Sequence, residues 1–169
     1  MTNYDREILE VVDREGAVVG LAKRSALHGN PSLIHRVVHV LVFNHEGEFL
    51  LQKRSLAKDV APGKWDTSVG GHVRPGEDVL DAAKREMAEE LGISDVKLDF
   101  LYTHLFSDHV ESELVSSFSC VYNGEINFDP EEIEEVAFWD FGRIRENMGK
   151  DVFSKHFEEE ITTYFRYLD

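Results

Sequence analysis

The chain has 169 residues, of which 42% are hydrophobic and 30% are charged, so its composition is typical of a globular protein and excludes a disordered or fibrous one. This length suffices for one hydrophobic core and is too short for two ordinary domains, so we expect a single domain over residues 1–169. The formal net charge of -15, from 33 acidic and 18 basic residues, disfavours nucleic acid polymers and anionic membranes as partners, because the far field repels polyanions.

The first 31 residues predict a hairpin that extends the domain at its N-terminus. Two apolar runs, at 8–12 and 17–21, flank the turn sequence Asp13-Arg14-Glu15-Gly16, and this arrangement is typical of a β-hairpin. Residues 23–31 favour a short helical turn followed by a loop.

The next part of the chain predicts central strands. Residues 36–43 and 48–54 flank the turn at 44–47 and are rich in Val, Leu and Phe, as strands of a central sheet are. The segment that follows is divided by Pro62-Gly63, Gly70-Gly71 and Pro75-Gly76. These turn signals favour one short strand at 65–69.

The remaining elements complete a mixed α/β pattern. A helix is predicted at 78–91 with Gly92 as its C-terminal stop, and strands are predicted at 96–106, 113–122 and 136–141. Apolar residues at spacings of three and four predict an amphipathic C-terminal helix that packs on the domain: Phe153, Phe157, Ile161, Tyr164 and Leu168. We therefore expect an α/β sandwich with a mixed central sheet, its core at 32–141 and a C-terminal helical segment at 142–169.

The helix at 78–91 crowds carboxylates onto one side of a single turn. At about 100° per residue, the stripe that faces the core consists of Leu80, Ala83, Met87 and Leu91. Glu86, Glu89 and Glu90 share an arc of roughly 100° beside it. Like charges at these spacings repel by a few tenths of a kcal/mol per pair, and the helix dipole also disfavours anions near its C-terminus. Hard divalent cations such as Mg²⁺ bind oxygen ligands and remove this repulsion.

The spacing from Gly71 to Ile93 resembles the Nudix box at every one of its fixed positions. Gly71 is followed after five residues by Glu77, and after seven more by the run Arg85-Glu86-Met87-Ala88-Glu89-Glu90-Leu91-Gly92-Ile93. At background frequencies of about 5 to 7% per position, a chance match lies far below one in a million.

The resemblance implies an α/β/α sandwich in which the box forms a loop, a helix and a loop. It implies hydrolysis of a nucleoside diphosphate linked to another group, with Glu86, Glu89 and Glu90 as the catalytic residues that ligate Mg²⁺ or Mn²⁺. The carbonyl of Gly71 is a candidate further ligand. Glu77, Arg85 and Gly92 are expected to be mainly structural.

Residues outside the box resemble the isopentenyl-diphosphate isomerases, which are relatives of the Nudix hydrolases. The similarity lies at 33–36, 41–44 and 64–72. It implies a second metal site, suited to Zn²⁺ or Mn²⁺, at the matching positions His28, His35, His72, Glu111 and Glu113. The essential cysteine of the isomerases is replaced by Gly70, which can neither donate nor accept a proton.

Several basic residues flank the expected site and are candidates for binding the phosphates of the substrate. The main candidates are Arg54, Arg36 and Lys64, with Lys53 and Lys58 behind them. Trp65 either stacks on a base or anchors its turn. The general base is left open between a box glutamate and three residues of the loop at 106–113, namely Asp108, His109 and Glu111.

We therefore expect a Mg²⁺-dependent Nudix hydrolase that cleaves the pyrophosphate linkage of a nucleoside diphosphate derivative or nucleotide. The alternatives are an isopentenyl-diphosphate isomerase-like enzyme and a non-catalytic sensor of a diphosphate ligand. The expected partner is a small diphosphate-containing molecule, and a homodimer is compatible with the sequence. Cys120 is the only cysteine and no leader-like or membrane-spanning apolar run is present, so we expect a cytoplasmic protein.

Overall fold

The computed structural model describes residues 6–169; residues 1–5 of the predicted extension lie outside the described part. In chain order the elements are β1 (Ile8–Val12), β2 (Val18–Lys23), α1 (Arg24–Leu27), β3 (Ile34–Phe43), β4 (Phe49–Arg54), β5 (Trp65–Asp66), β6 (Val69–His72), α2 (Val79–Leu91), β7 (Asp99–Ser107), β8 (Ser112–Val121), β9 (Ile133–Trp139), α3 (Phe141–Asn147) and α4 (Lys155–Leu168). The predicted hairpin is confirmed as the antiparallel pair β1–β2.

Strand β3 is the centre of a mixed sheet. It pairs antiparallel with β1, β4 and β6, and in parallel with β8 over its whole length. Strand β7 pairs antiparallel with β8, and β9 and β5 pair with β4. The predicted mixed sheet is therefore confirmed.

Alternate residues of β3 face opposite sides of the sheet, as strand geometry requires. Val38, Val40 and Val42 pack in one core with Met87 of α2. Leu41 packs in a second core with the aromatic and aliphatic residues of α4. Helices thus cover both faces, and the expected α/β/α sandwich is confirmed.

Helix α2 begins and ends where its capping residues dictate. The Asp78 side chain accepts a hydrogen bond from the N–H of Leu80, and Gly92 adopts the left-handed conformation with φ 67°, which favours glycine. The buried stripe differs from the predicted one at one position: Ala82 is fully buried, whereas Leu80 is only partly buried at the edge of the core.

The single strand predicted at 65–69 is wrong, because the chain changes partners within it. Strand β5 pairs with β4, and β6 pairs with β3. Between them the buried Ser68 hydroxyl donates to the carbonyl of Leu50 and accepts from the N–H of Val42, so one side chain bridges the two neighbours. This crossing brings Gly70 and Gly71 beside β3.

Smaller differences lie at the ends of later elements. Strand β7 starts at Asp99 rather than at residue 96, and β9 ends at Trp139 because Asp140 caps α3. Helix α3 lies at the start of the predicted C-terminal helical segment, where no separate helix was predicted. The C-terminal helix is confirmed, but Ser154 caps it after Phe153, and Leu168 is exposed. None of the helices within residues 6–169 is long and apolar enough to cross a membrane.

Candidate active site

A cavity of about 460 Å³ lies beside β6, which lines it with Gly70, Gly71 and His72. The Glu86, Glu89 and Glu90 carboxylates of α2 form one part of its wall. The histidines and glutamates of the predicted second metal site form another, with one residue, His35, absent from the lining. The two predicted sites therefore border the same cavity.

Arg85 fastens the loop before α2 to the helix. Its Nε and Nη2 donate to the two carboxylate oxygens of Glu77, each at 2.9 Å, and Nη2 also donates to the carbonyl of His72 at 2.9 Å. Glu77 in turn accepts from the N–H of Arg74 at 3.0 Å. A bidentate pair of this kind fixes orientation as well as adding stability.

The three carboxylates of the box are held in different ways. Glu86 accepts from Nη1 of Arg85 at 2.8 Å, and Glu89 accepts from the same atom at 3.3 Å while its side chain stays 53% exposed. Glu90 accepts from Nε2 of Gln52 at 3.1 Å and from the N–H of Gly70 at 3.2 Å. All three line the cavity.

Gly71 lies so close to Glu86 that a side chain at this position would force the Glu86 carboxyl group to move. A Cβ added to Gly71 would lie 2.1 Å from Cδ of Glu86, far inside van der Waals contact. The glycine thus lets the backbone of β6 approach the carboxylate directly. The carbonyl of Gly71 stays a predicted metal ligand.

The electrostatics of the carboxylates favour a cation. Burial raises the pKa of Glu86, and burial together with the charge of Glu86 raises the pKa of Glu90 to about 8. Burial and neighbouring negative charge disfavour the ionised form of these carboxyl groups, and a cation bound between them would stabilise it. Because the donors are all oxygen atoms, the set fits hard ions such as Mg²⁺ or Mn²⁺.

The histidine and glutamate residues of the predicted second site also lie close together. Ligand atoms of His35, Glu111 and Glu113 lie within 4.8 Å of one another, and Nε2 of His28 lies 3.9 Å from Glu111. Both Nε2 of His28 and Nδ1 of His35 are buried without a hydrogen-bond partner. These residues could hold a metal ion, and unpartnered ring nitrogens beside carboxylates fit one.

His72 and a residue from outside the predicted set complete this region. The ring of His72 lies 5.2 Å from that of His35, and its Nδ1 lies 3.1 Å from Glu7. His156 of α4 lies 3.2 Å from Glu111 and 3.4 Å from Glu113. Burial alone would lower the pKa of His156, but the two carboxylates raise it to about 11.

The sequence reasoning missed His156 and Glu7. Neither belongs to the box or to the segments that carry the isomerase resemblance, so no local spacing marked them. The only available signal for His156 was its place near the start of the amphipathic tail helix.

The basic candidates separate into two groups. Arg54 lines the cavity, and its guanidinium donates to the carbonyl of Val60 at 2.7 Å and lies 3.5 Å from Asp66. Lys58 also lines the cavity. The structure places Arg36 and Lys64 apart from the lining residues, in ion pairs with Glu10 at 2.6 Å and Asp151 at 2.8 Å.

The remaining candidates are also placed. Lys53 pairs with Glu134 at 3.7 Å. Of the three loop candidates for the general base, Glu111 lines the cavity, whereas Asp108 accepts two backbone N–H groups of its own turn. Trp65 packs against Trp139 with ring centroids 5.3 Å apart, which favours its interpretation as an anchor.

Comparison with known proteins shows the family of the chain. Residues 33–158 match the family model described as the NUDIX domain. An isopentenyl-diphosphate Delta-isomerase of Streptomyces avermitilis is 36% identical over 156 residues, which cover 89% of this chain and 79% of that protein. An uncharacterised Nudix hydrolase of Pseudomonas aeruginosa is 37% identical over 134 residues, 79% of each chain.

Solved structures extend the likeness to the fold. The protein DR0079 from Deinococcus radiodurans aligns with a TM-score of 0.79 at 25% identity, covering 93% of this chain and 98% of that one. The NUDIX domain of Shewanella oneidensis NrtR, solved with ADP ribose, aligns over 88% of this chain and 94% of that one with a TM-score of 0.63. At 15% identity that second match is a likeness of fold alone. With the family match over residues 33–158 and relatives above 30% identity, the chain belongs to the Nudix family.

Proposed function

We propose that this protein hydrolyses the pyrophosphate linkage of a small diphosphate compound, such as a nucleoside diphosphate derivative, in a reaction that depends on Mg²⁺ or Mn²⁺. One observation carries the proposal: Glu86, Glu89 and Glu90 converge on a cavity, with Gly71 pressed against the first of them. Such a set of oxygen donors suits a divalent ion and a phosphorylated ligand.

In this proposal the protein's own residues orient the box carboxylates and bind the substrate. Arg85 orients Glu86 and Glu89, while Gln52 and the backbone of Gly70 orient Glu90. Arg54, held by Val60 and Asp66, binds a phosphate of the substrate. A bound divalent ion supplies neutralisation of the phosphate charge and lowers the pKa of water.

We also propose that His28, His35, His72, Glu111 and Glu113 bind a second divalent ion, with Zn²⁺ or Mn²⁺ as the best match to their ligand types. The unpartnered nitrogens of His28 and His35 support this. Since this group borders the same cavity as the box carboxylates, the second ion would face the same substrate.

An isopentenyl-diphosphate isomerase is the second candidate function. The 36% identity to the Streptomyces avermitilis isomerase favours it. Gly70 stands against it, because glycine offers no group to donate or accept a proton where the isomerases have their cysteine. We therefore place the protein in an isomerase-like branch of the hydrolases.

A substrate panel tests the hydrolase. Nucleoside diphosphates, nucleoside triphosphates and nucleotide sugars are incubated with Mg²⁺ and the wild type, Glu89→Gln or Asp81→Asn. Asp81 is an exposed acidic residue on the same helix, so its variant controls for the loss of one negative charge. We expect the wild type and Asp81→Asn to turn over at least one compound, and Glu89→Gln to be about 100-fold slower or worse. Equal turnover by Glu89→Gln contradicts the assignment.

A separate assay tests the isomerase. Isopentenyl diphosphate is incubated with the wild type in D₂O and followed by ¹H NMR. We expect no deuterium in the recovered material. Incorporation into the isoprenoid carbon chain would favour the isomerase over the hydrolase.

A further inference from the structure

Glu160 of α4 is entirely buried in a polar network on the side of the sheet that faces α4. Its carboxylate accepts from the hydroxyl of Tyr102 at 2.9 Å and from the hydroxyl of Ser117 at 3.1 Å. Nδ1 of His39 lies 3.1 Å away, and Nε2 of His104 lies 3.6 Å away. The network belongs neither to the box nor to the second metal site.

The hydrogen bonds fix the charges in this network. Tyr102 donates to one carboxyl oxygen of Glu160 and Ser117 donates to the other, and this arrangement favours an ionised carboxylate. A fully buried carboxylate is strongly unfavourable without a cationic partner, and His39 is the histidine that lies closest to it. Burial would lower the pKa of His39, but the hydrogen bond and charge of Glu160 raise it. When the ring is protonated, both of its nitrogens donate, so that Nδ1–H binds Glu160 and Nε2–H is left for a second acceptor.

The other edge of the His39 ring faces the cavity. His39 pairs with Gly70 across β3 and β6, and a Cβ added to Gly70 would lie 3.3 Å from Cδ2 and 3.6 Å from Nε2 of the ring. Glycine leaves this space open, and both residues line the cavity. Since the N–H of Gly70 also donates to Glu90, the ring edge borders the same space as the box carboxylates.

We propose that His39 is a substrate-binding residue, whose Nε2–H donates to a phosphate oxygen of a diphosphate seated over Gly70, and that Glu160 is the positioning residue that holds the ring. The class of ligand rests on the proposed hydrolase function. The cavity is lined by many carboxylates, so an anionic diphosphate needs donors placed at specific points. His39 supplies one at Gly70, the position where the isomerases carry a side chain.

Two substitutions at His39 distinguish the roles of its two ring nitrogens. The amide of Asn is short and can reach Glu160 in place of Nδ1, whereas the longer Gln can place its amide near the position of Nε2. Binding is measured by calorimetry with methylenediphosphonate and Mg²⁺, because the P–C–P bridge of this probe is not hydrolysed. We expect His39→Asn to bind about 10-fold to 100-fold more weakly than the wild type, and His39→Gln to recover most of the affinity.

His104→Asn is the matched control, since His104 contacts the same carboxylate and is not among the residues that line the cavity. We expect it to bind the probe as the wild type does. Binding by His39→Asn within about threefold of the wild type overturns the proposal. An equal loss of affinity in His104→Asn, or in both His39 variants, would assign the weaker binding to altered packing and would also overturn the proposal. A wild type that does not bind the probe would overturn it too.

Gly70→Ala provides a test that keeps the histidine, in case His39→Asn fails to fold. Its methyl group would lie 3.3 Å from the ring and cover the edge that faces the cavity, so we expect weaker binding of the probe. Unchanged binding contradicts the proposal. Binding of the probe is measured without turnover, so the two proposals can fail separately. If the wild type binds the probe through His39 but hydrolyses no compound of the panel, only the proposed hydrolase function is refuted. A wild type that hydrolyses diphosphates while His39→Asn binds normally refutes the role of His39 alone.

Discussion

At the scale of single residues, the contact between Gly71 and Glu86 explains why the sequence has a glycine at position 71. With Glu86 in its observed position only glycine fits here, because any side chain would overlap the carboxylate. Its backbone φ is not in the left-handed region, so conformational freedom does not explain it. The close approach of the Gly71 backbone to the Glu86 carboxylate is therefore a feature of the candidate active site.

Replacing Gly71 tests this requirement. We expect Gly71→Ala to displace Glu86 and to reduce kcat for the substrate found in the panel by about 10-fold to 100-fold, as changes at groups that orient metal ligands do. Steady-state kinetics measure the effect. Gly20→Ala is the control, because a Cβ there meets no atom within 4 Å. Wild-type kinetics in Gly71→Ala would show that Glu86 need not stay where the structure has it.

Glu160 gives a prediction about pH and stability. Burial alone would raise the pKa of its carboxyl, but hydrogen bonding to His39 and the charge of that ring lower it below the usual 4.5. Its stabilising contribution is therefore present above pH 4.5 and is lost as the pH falls through the lowered value. The pKa of His39 is raised above 6.5, so its contribution is lost as the pH rises through that higher value.

We accordingly expect Glu160→Gln to lower the free energy of unfolding by about 3 kcal/mol, with the largest difference in Tm from the wild type between pH 4.5 and 6.5. The groups that face Glu160 are His39 from β3, Tyr102 and His104 from β7, and Ser117 from β8. Thermal denaturation across a pH series measures the difference. A difference that stays constant down to pH 3 would contradict the ionised pair.

At the scale of elements, Arg85 joins the loop after β6 to helix α2. Its guanidinium contacts Glu77, Glu86 and the carbonyl of His72. We expect Arg85→Lys to reduce kcat by about 10-fold or more and to lower Tm, because a lysine ammonium cannot reproduce the bidentate pair. Lys84→Arg, at an exposed position on the same helix, is the control. Retention of full activity by Arg85→Lys would show that the contacts of the Arg85 guanidinium are dispensable.

The proposed second metal site depends on elements far apart in the chain, since His28 follows α1 and His35 lies on β3. Glu111 immediately precedes β8 and Glu113 lies within it. We expect protein loaded with Mn²⁺ or Zn²⁺ and desalted to retain about one ion more per chain than His35→Gln does. Metal analysis by mass spectrometry measures this. Glu89→Gln should retain the same ion as the wild type. An equal metal content in wild type and His35→Gln would refute the site.

How far the sequence predicts each element depends on how local its causes are. Helix α2 was predicted to within one residue at its start, because Asp78 and Gly92 cap it and its apolar spacing is regular. The prediction of one strand at 65–69 was wrong, since the division into β5 and β6 depends on Ser68, whose hydroxyl bridges β3 and β4. This bridge joins Ser68 to residues 18 and 26 positions away in the chain, and no local pattern records it.

At the scale of the whole molecule, residues from both sides of the sheet line the same cavity. The α2 face supplies the box carboxylates, while the α4 face supplies His156 and, through Glu160, the orientation of His39. The box could be found from spacing alone. The α4 residues could not, because they meet β3 and β8 only after the C-terminal helix packs across the sheet.

The central claim is that water attacks one phosphorus of a diphosphate and breaks a P–O bond of its P–O–P bridge at the cavity bordered by the box. The most direct measurement is ³¹P NMR of the products formed from the panel substrate by the wild type and by Glu89→Gln, with Mg²⁺ in water enriched in ¹⁸O. We expect two phosphate-containing products, one carrying a single ¹⁸O from solvent, and we expect Glu89→Gln to form them about 100-fold more slowly or not at all. Products without ¹⁸O on phosphorus, or equal rates for the two proteins, would contradict the central claim.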